Sequence, residues 1–300
     1  MIGSVRGSNA MPWRVACAVL GLLGALPLSA ADSTENIHAI KSDLVVPKAT
    51  DDPPAPGRRV RIRLADSPGD KLYYVLYLPT DWQAGRTYPV IVEYPGNGGY
   101  RNALGDECTG RMEDCNLGYG ISGGRGFIWV CLPLVDPKTH SHALNWWGDP
   151  DATAAYCRAA VAHVCERFGG DPAALVLAGF SRGAIACSYI GLRDDQTAKL
   201  WRAIVAHSHF DGVRQWNYPE SDADSARRRL ARWKGRPLFV SHEQSIDDTA
   251  AFLASCGIEA ERMALPYPNH TDQWVLKDIP QRAKLRQWVN DVVAKDQKRE

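Results

Sequence analysis

Apolar and basic positions alternate strictly in Arg59–Leu64: Val60, Ile62 and Leu64 against Arg59, Arg61 and Arg63. A period of two predicts a half-buried strand. After the Asp66–Asp70 turn, Leu72 to Leu78 predicts a second strand, antiparallel to the first. The pattern then changes to short, nearly continuous apolar runs at 90–92, 127–130, 174–178, 203–205 and 238–240, with a final run at 260–267. Strands buried on both faces read this way, as in parallel sheets. Between two of these runs, Cys157, Ala160, Val161, Val164, Cys165 and Phe168 recur at three-to-four spacing, which predicts an amphipathic helix. Further helices are expected after Ser181, before Arg236, over 248–256 and from Pro280 onward. Strands alternating with helices predict an α/β domain, with an eight-stranded, mostly parallel sheet flanked by helices.

The two ends read differently. Residues 1–31 combine a basic start, the apolar run Val15 to Leu28 and the small residues Ser29-Ala30-Ala31. This is the pattern of a cleavable signal peptide, with cutting before Asp32 and a secreted or periplasmic product. Residues 32–57 end in Asp51-Asp52-Pro53-Pro54-Ala55-Pro56-Gly57 and read as a linker or loosely held arm, leaving 58–300 as a single catalytic domain. Of the 35 Lys and Arg, Arg6 and Arg14 fall in the leader, so 33 face 34 Asp and Glu in the remainder. Such a balance gives no electrostatic footprint for nucleic acid or for an anionic membrane. Export permits disulfides, and Cys108 and Cys115 flank a short polar loop that a bridge would close.

The chemistry concentrates at strand ends. Gly179-Phe180-Ser181-Arg182-Gly183 lies where the strand 174–178 meets the next helix. G-x-S-x-G in that context is a nucleophile elbow, a tight turn that lifts the Ser181 hydroxyl above the sheet. Serine needs a base, and His270, after the last strand, is in the order expected for it. The orienting acid belongs after the strand 238–240; the usual offset favours Asp247, with Glu243 nearer the strand end as the alternative. Asp211, after the preceding strand, is a further option. Two backbone N–H groups should face the oxyanion: Arg182, after the nucleophile, and Asn97 in the turn Tyr94-Pro95-Gly96-Asn97-Gly98-Gly99.

These motifs resemble the α/β-hydrolase superfamily, most nearly the secreted esterases that include polyhydroxybutyrate depolymerases and feruloyl or acetylxylan esterases. The resemblance spans about residues 58–295 and rests on Gly179–Gly183, Asp171-Pro172, Pro95–Gly99 and His270. It implies hydrolysis of a small-molecule or polymer-linked carboxylic ester through an acyl-serine, with no metal and no cofactor. The chain departs from the family in two places. Residues 100–126, usually helical, are glycine-rich here, and the run after the seventh strand lacks the usual Gly-x-x-Asp.

Other signals compete for attention. His140-Ser141-His142 and His207-Ser208-His209 have the H-x-H spacing of a metal site, but no carboxylate pattern accompanies them. For His209 a substrate contact is a better role than metal binding and a structural role better still, and Trp146-Trp147 either offer an aromatic wall for a ring or sugar or pack against the following helix. Arg227-Arg228-Arg229 reads as a solvated helix face. Two other functions remain open: a prolyl-oligopeptidase-type serine peptidase, and a non-catalytic binding protein on a hydrolase scaffold. The first usually carries a large extra domain; the second is disfavoured by intact Ser181 and His270.

Overall fold

The computed structural model describes residues 35–65 and 71–294; the leader, the Asp66–Asp70 turn and residues 295–300 lie outside the described residues. Nine strands make the main sheet: β1 (Ala49–Thr50), β2 (Arg59–Ile62), β3 (Tyr74–Tyr77), β4 (Tyr88–Tyr94), β5 (Ile128–Cys131), β6 (Gly170–Phe180), β7 (Ala203–His207), β8 (Leu238–Glu243) and β9 (Glu261–Leu265). Their spatial order is β1-β2-β3-β5-β4-β6-β7-β8-β9. β2 pairs antiparallel with β3, and β3 with β5. From β5 to β9 every pairing is parallel. The expected eight strands are present, and β1 is the addition, pairing parallel to β2.

That ninth strand comes from the arm, whose described residues hold to the domain at several points. Ile37 is fully buried, Ser42 bridges to Lys277, and Asp43 accepts two hydrogen bonds from Arg282. A Pro-rich end does not make a segment free when the residues before it find polar and apolar partners.

Helices cover both faces: α1 (Leu117–Ser122), α2 (Pro150–Phe168), α3 (Arg182–Tyr189), α4 (Ala223–Leu230), α5 (Asp247–Ser255) and α6 (Pro280–Ala294). α2 shows why its sequence is helical. The Asp149 side chain caps the Ala152 N–H, Pro150 occupies the first turn, and Gly169 ends the helix at φ 75°. Its buried stripe includes Cys157, Ala160, Val161 and Val164 and packs on one face of the sheet. α1 and α6 close the opposite face, over Trp129, Val176 and Phe239. A buried sheet of this kind leaves the carboxyl ends of its parallel strands as the place for a ligand site.

Candidate active site

The elbow is built from close backbone approach. Ser181 sits at φ 54°, ψ −116°, between the end of β6 and the start of α3. A Cβ on Gly179 would lie 2.1 Å from the Gly183 carbonyl oxygen, and one on Gly183 would lie 2.0 Å from that of Tyr94. Only glycine fits either position, so the motif follows from the turn. The strained turn holds Ser181 8% exposed at the rim of the sheet.

Three strand ends then converge. Ser181 Oγ lies 3.0 Å from His270 Nε2, and His270 Nδ1 lies 2.6 Å from Glu243 Oε1. Glu243 is the last residue of β8, and His270 lies on the loop after β9. Burial works against charge on Glu243, but the hydrogen bond from His270 and the nearby imidazoles outweigh it and bring its pKa down to about 2. An ionised carboxylate only accepts, so His270 Nδ1 carries the proton and Nε2 is left to accept from Ser181. Ser208, at φ 80°, supports this pair: its hydroxyl donates to Glu243 Oε1 at 2.8 Å and lies 2.7 Å from His270 Nδ1.

Asp247 does not reach the histidine. It opens α5, exposed, with its carboxylate accepting from Ser245 Oγ at 2.8 Å. β8 runs three residues beyond the apolar run that marks it in the sequence, so the acid arrives earlier in the chain than the usual offset implies. Asp211 is also elsewhere, buried against Arg229 at 2.8 Å and Ser188 at 3.0 Å. That pairing also withdraws Arg229 from the solvated face expected of the arginine run.

Both expected oxyanion residues line the cleft with Ser181. Arg182 is the first residue of α3, where backbone N–H groups have no intrahelical acceptor. The Asn97 side chain has its own task, accepting from the Trp146 N–H at 2.7 Å. The Arg182 guanidinium is buried and donates to the Ala143 and Trp146 carbonyls at 3.1 and 2.8 Å. One arginine thus joins the nucleophile turn to the cleft wall, a role that its place in the motif does not announce.

The cleft has a volume of about 480 Å³, and its walls include Tyr100, Trp146, His209, Arg214 and Trp216. Trp146 and His209 thus line the cleft beside Ser181. Trp147 is not: it is 4% exposed and packs on Tyr189 and Tyr218, at 4.7 and 5.2 Å between centroids. Trp146 has φ 50°, and the turn there sends the adjacent indoles to different surroundings. Tyr100, Arg214 and Trp216 gave no sequence signal, because no motif or periodicity marks them, and Ser208 stood within His207-Ser208-His209, where the histidines drew the reading.

One histidine of each H-x-H pair, His207 and His142, is occupied by hydrogen bonds. His207 Nε2 donates to the Thr271 carbonyl at 3.1 Å, and Nδ1 pairs with Ser241 Oγ at 3.0 Å. His142 Nε2 donates to the Gly110 carbonyl, and Nδ1 accepts from the Leu134 N–H. Burial keeps both rings neutral, with pKa values near 4. Among the described residues, Glu93, Cys115 and Cys131 bring three donor atoms within 4.8 Å of one another. Both Glu93 oxygens are already committed, to the N–H groups of Leu117 and Gly118 and the Trp129 indole. Cys108 and Cys115 are free thiols, without the expected bridge.

No protein-family model and no curated relative matches the chain. Solved structures do. One of two fungal esterases from Rhizomucor miehei superposes with a TM-score of 0.53 at 13% identity, covering 89% of each chain. The fold is that of the α/β-hydrolases. A Bacteroides ovatus protein described as a dipeptidyl aminopeptidase IV gives 0.52 at 14% identity, over 78% of this chain and 35% of that one. A thermostable esterase gives 0.47 at 13% identity, over 78% of this chain, which spans 62% of the esterase.

Proposed function

We propose that the protein is a serine esterase, exported by its leader-like residues 1–31, that hydrolyses a carboxylic ester through an acyl-serine. The observation that carries the reading is the unbroken relay Ser181 Oγ to His270 Nε2 at 3.0 Å and His270 Nδ1 to Glu243 Oε1 at 2.6 Å. His270 takes the Ser181 proton as Oγ attacks the ester carbonyl, and the oxyanion turns toward the N–H groups of Arg182 and Asn97. The proton passes from His270 to the departing alkoxide, leaving the acyl-serine. Water, deprotonated by the same Nε2, then releases the acid. Glu243 holds the productive tautomer and offsets the charge of the imidazolium.

The cleft walls favour a ring-bearing substrate. Trp146 and Trp216 lie 5.7 Å apart between centroids, and the Arg214 guanidinium stands 4.5 Å over Trp216. An aryl or sugar ester with an anionic group away from the scissile bond suits that rim. The test is a panel of p-nitrophenyl, feruloyl, acetyl-sugar and carboxylate-bearing esters beside dipeptide amides. Ester turnover that disappears in Ser181→Ala supports the reading; turnover of the amides alone would replace it with a peptidase.

A further inference from the structure

Asp106 lies in the glycine-rich segment where the resembled family usually has a helix, beside a two-stranded ribbon, Tyr100–Arg101 and Glu107–Cys108. It is 1% exposed, although a carboxylate is costly to bury without partners. Its Oδ2 accepts from the His270 backbone N–H at 2.8 Å and from Asn102 Nδ2 at 2.7 Å. Its Oδ1 accepts from Asn269 Nδ2 and from His38 Nε2, each at 2.8 Å. Burial opposes charge on this carboxyl, but the four donors prevail and hold it below the usual carboxylate range.

The arm completes the arrangement from the other side. Asn269 Oδ1 accepts from the Ile37 N–H at 2.8 Å, and its Nδ2 also donates to Asn36 Oδ1 at 3.0 Å. Asn36 Nδ2 in turn donates to the Leu104 carbonyl at 2.9 Å. Tyr100, from the same ribbon, meets the His270 ring edge-on at 4.8 Å. The donors to Asp106 thus come from the arm, from its own segment and from the His270 loop.

We propose that Asn36–His38 and Asp106 form a clamp that positions His270, making the arm a working part of the site that is competent only while docked. The inference rests on the serine-hydrolase reading, because it assigns the clamp a role through His270. Asp106 is a positioning residue: it touches the loop of the base, not the reacting atoms. Displacing a catalytic group by about 1 Å can cost about a hundredfold in rate.

The experiment measures ester kinetics together with the stoichiometry and rate of Ser181 labelling by a fluorophosphonate, read by intact mass on the full chain. In Asp106→Asn an amide N–H replaces an acceptor that faces donors. We expect full labelling but a labelling rate and kcat about ten- to a hundredfold lower, with KM changed by less than about threefold. The double variant Asn36→Ala/His38→Ala leaves Asp106 in place and should lower kcat about fivefold or more, again with full labelling. Adding it to Asp106→Asn should cost no more than Asp106→Asn alone, because both act through one clamp. Should Asp106→Asn fail to fold, the arm variant decides by itself. Wild-type labelling rates in the arm variant, or a deficit confined to the labelled fraction, would overturn the clamp. If the wild type itself does not label, the hydrolase reading falls and takes the clamp with it.

Discussion

Glu243 and Asp272 are two acids withdrawn from water near the same loop, and their surroundings push their pKa values in opposite directions. Glu243 faces an imidazole N–H and the Ser208 hydroxyl, and its pKa is brought down to about 2. Asp272, two residues beyond His270, is pushed up to about 7. Its burial and the nearby Glu93 carboxylate both disfavour charge, and the Asn116 N–H and Nδ2, at 3.2 and 2.8 Å, offset only part of that. Burial penalises both. What separates them is a partner that can become positive on one side and a second carboxylate on the other. The site needs the first arrangement, because a neutral acid would not hold the imidazolium.

The largest test removes what the Glu243 side serves. Ser181→Ala should lower kcat about a million-fold, and the double variant with His270→Ala should be little worse, because the two act as a unit. A tenth of wild-type ester turnover surviving in Ser181→Ala would end the assignment. Glu243→Gln should cost about ten-thousand-fold in kcat, since the amide favours the wrong tautomer of His270. Asp247→Asn should stay within about twofold, as expected of a surface change. The reverse ranking would return the acid's role to the start of α5.

Smaller effects concern the walls. Trp146→Ala should raise KM for aryl esters about tenfold, the size of one lost aromatic contact, with kcat less affected. Trp147→Ala should act on stability instead, lowering it by about 3–5 kcal/mol as a buried tryptophan is lost. A KM effect from Trp147 with no thermal shift would put that ring in the cleft after all.

The smallest effect sharpens the other side of the comparison. Asp272 has its ordinary pKa of 3.8 when unfolded and about 7 when folded. Between those values the native chain binds more protons than the unfolded one, so this group's contribution to stability falls as pH rises from about 4 to 7. Asp272→Asn carries no such charge. Its Tm relative to wild type should therefore climb across that window and level off above it. A Tm difference independent of pH would mean that Asp272 is already ionised in the fold.

The sequence determined what local rules can specify. Continuous apolar runs mark β4 to β8 because a parallel sheet is buried on both faces. Gly179 and Gly183 mark the elbow because no Cβ fits there. His270 was legible as the candidate base because chain order in this fold places one after the last strand. The tertiary structure decided what depends on how far an element extends and on what meets it. The acid turned on the length of β8, which carries Glu243 to the rim and leaves Asp247 to begin a helix. The arm reads as linker because its partners, Asn269, Lys277 and Arg282, lie more than two hundred residues away. Trp146 and Trp147 are indistinguishable as neighbours, and only the backbone turn between them sends one to the cleft and the other to the core. Side-chain chemistry and period are written locally; hydrogen-bond partners across the fold are not.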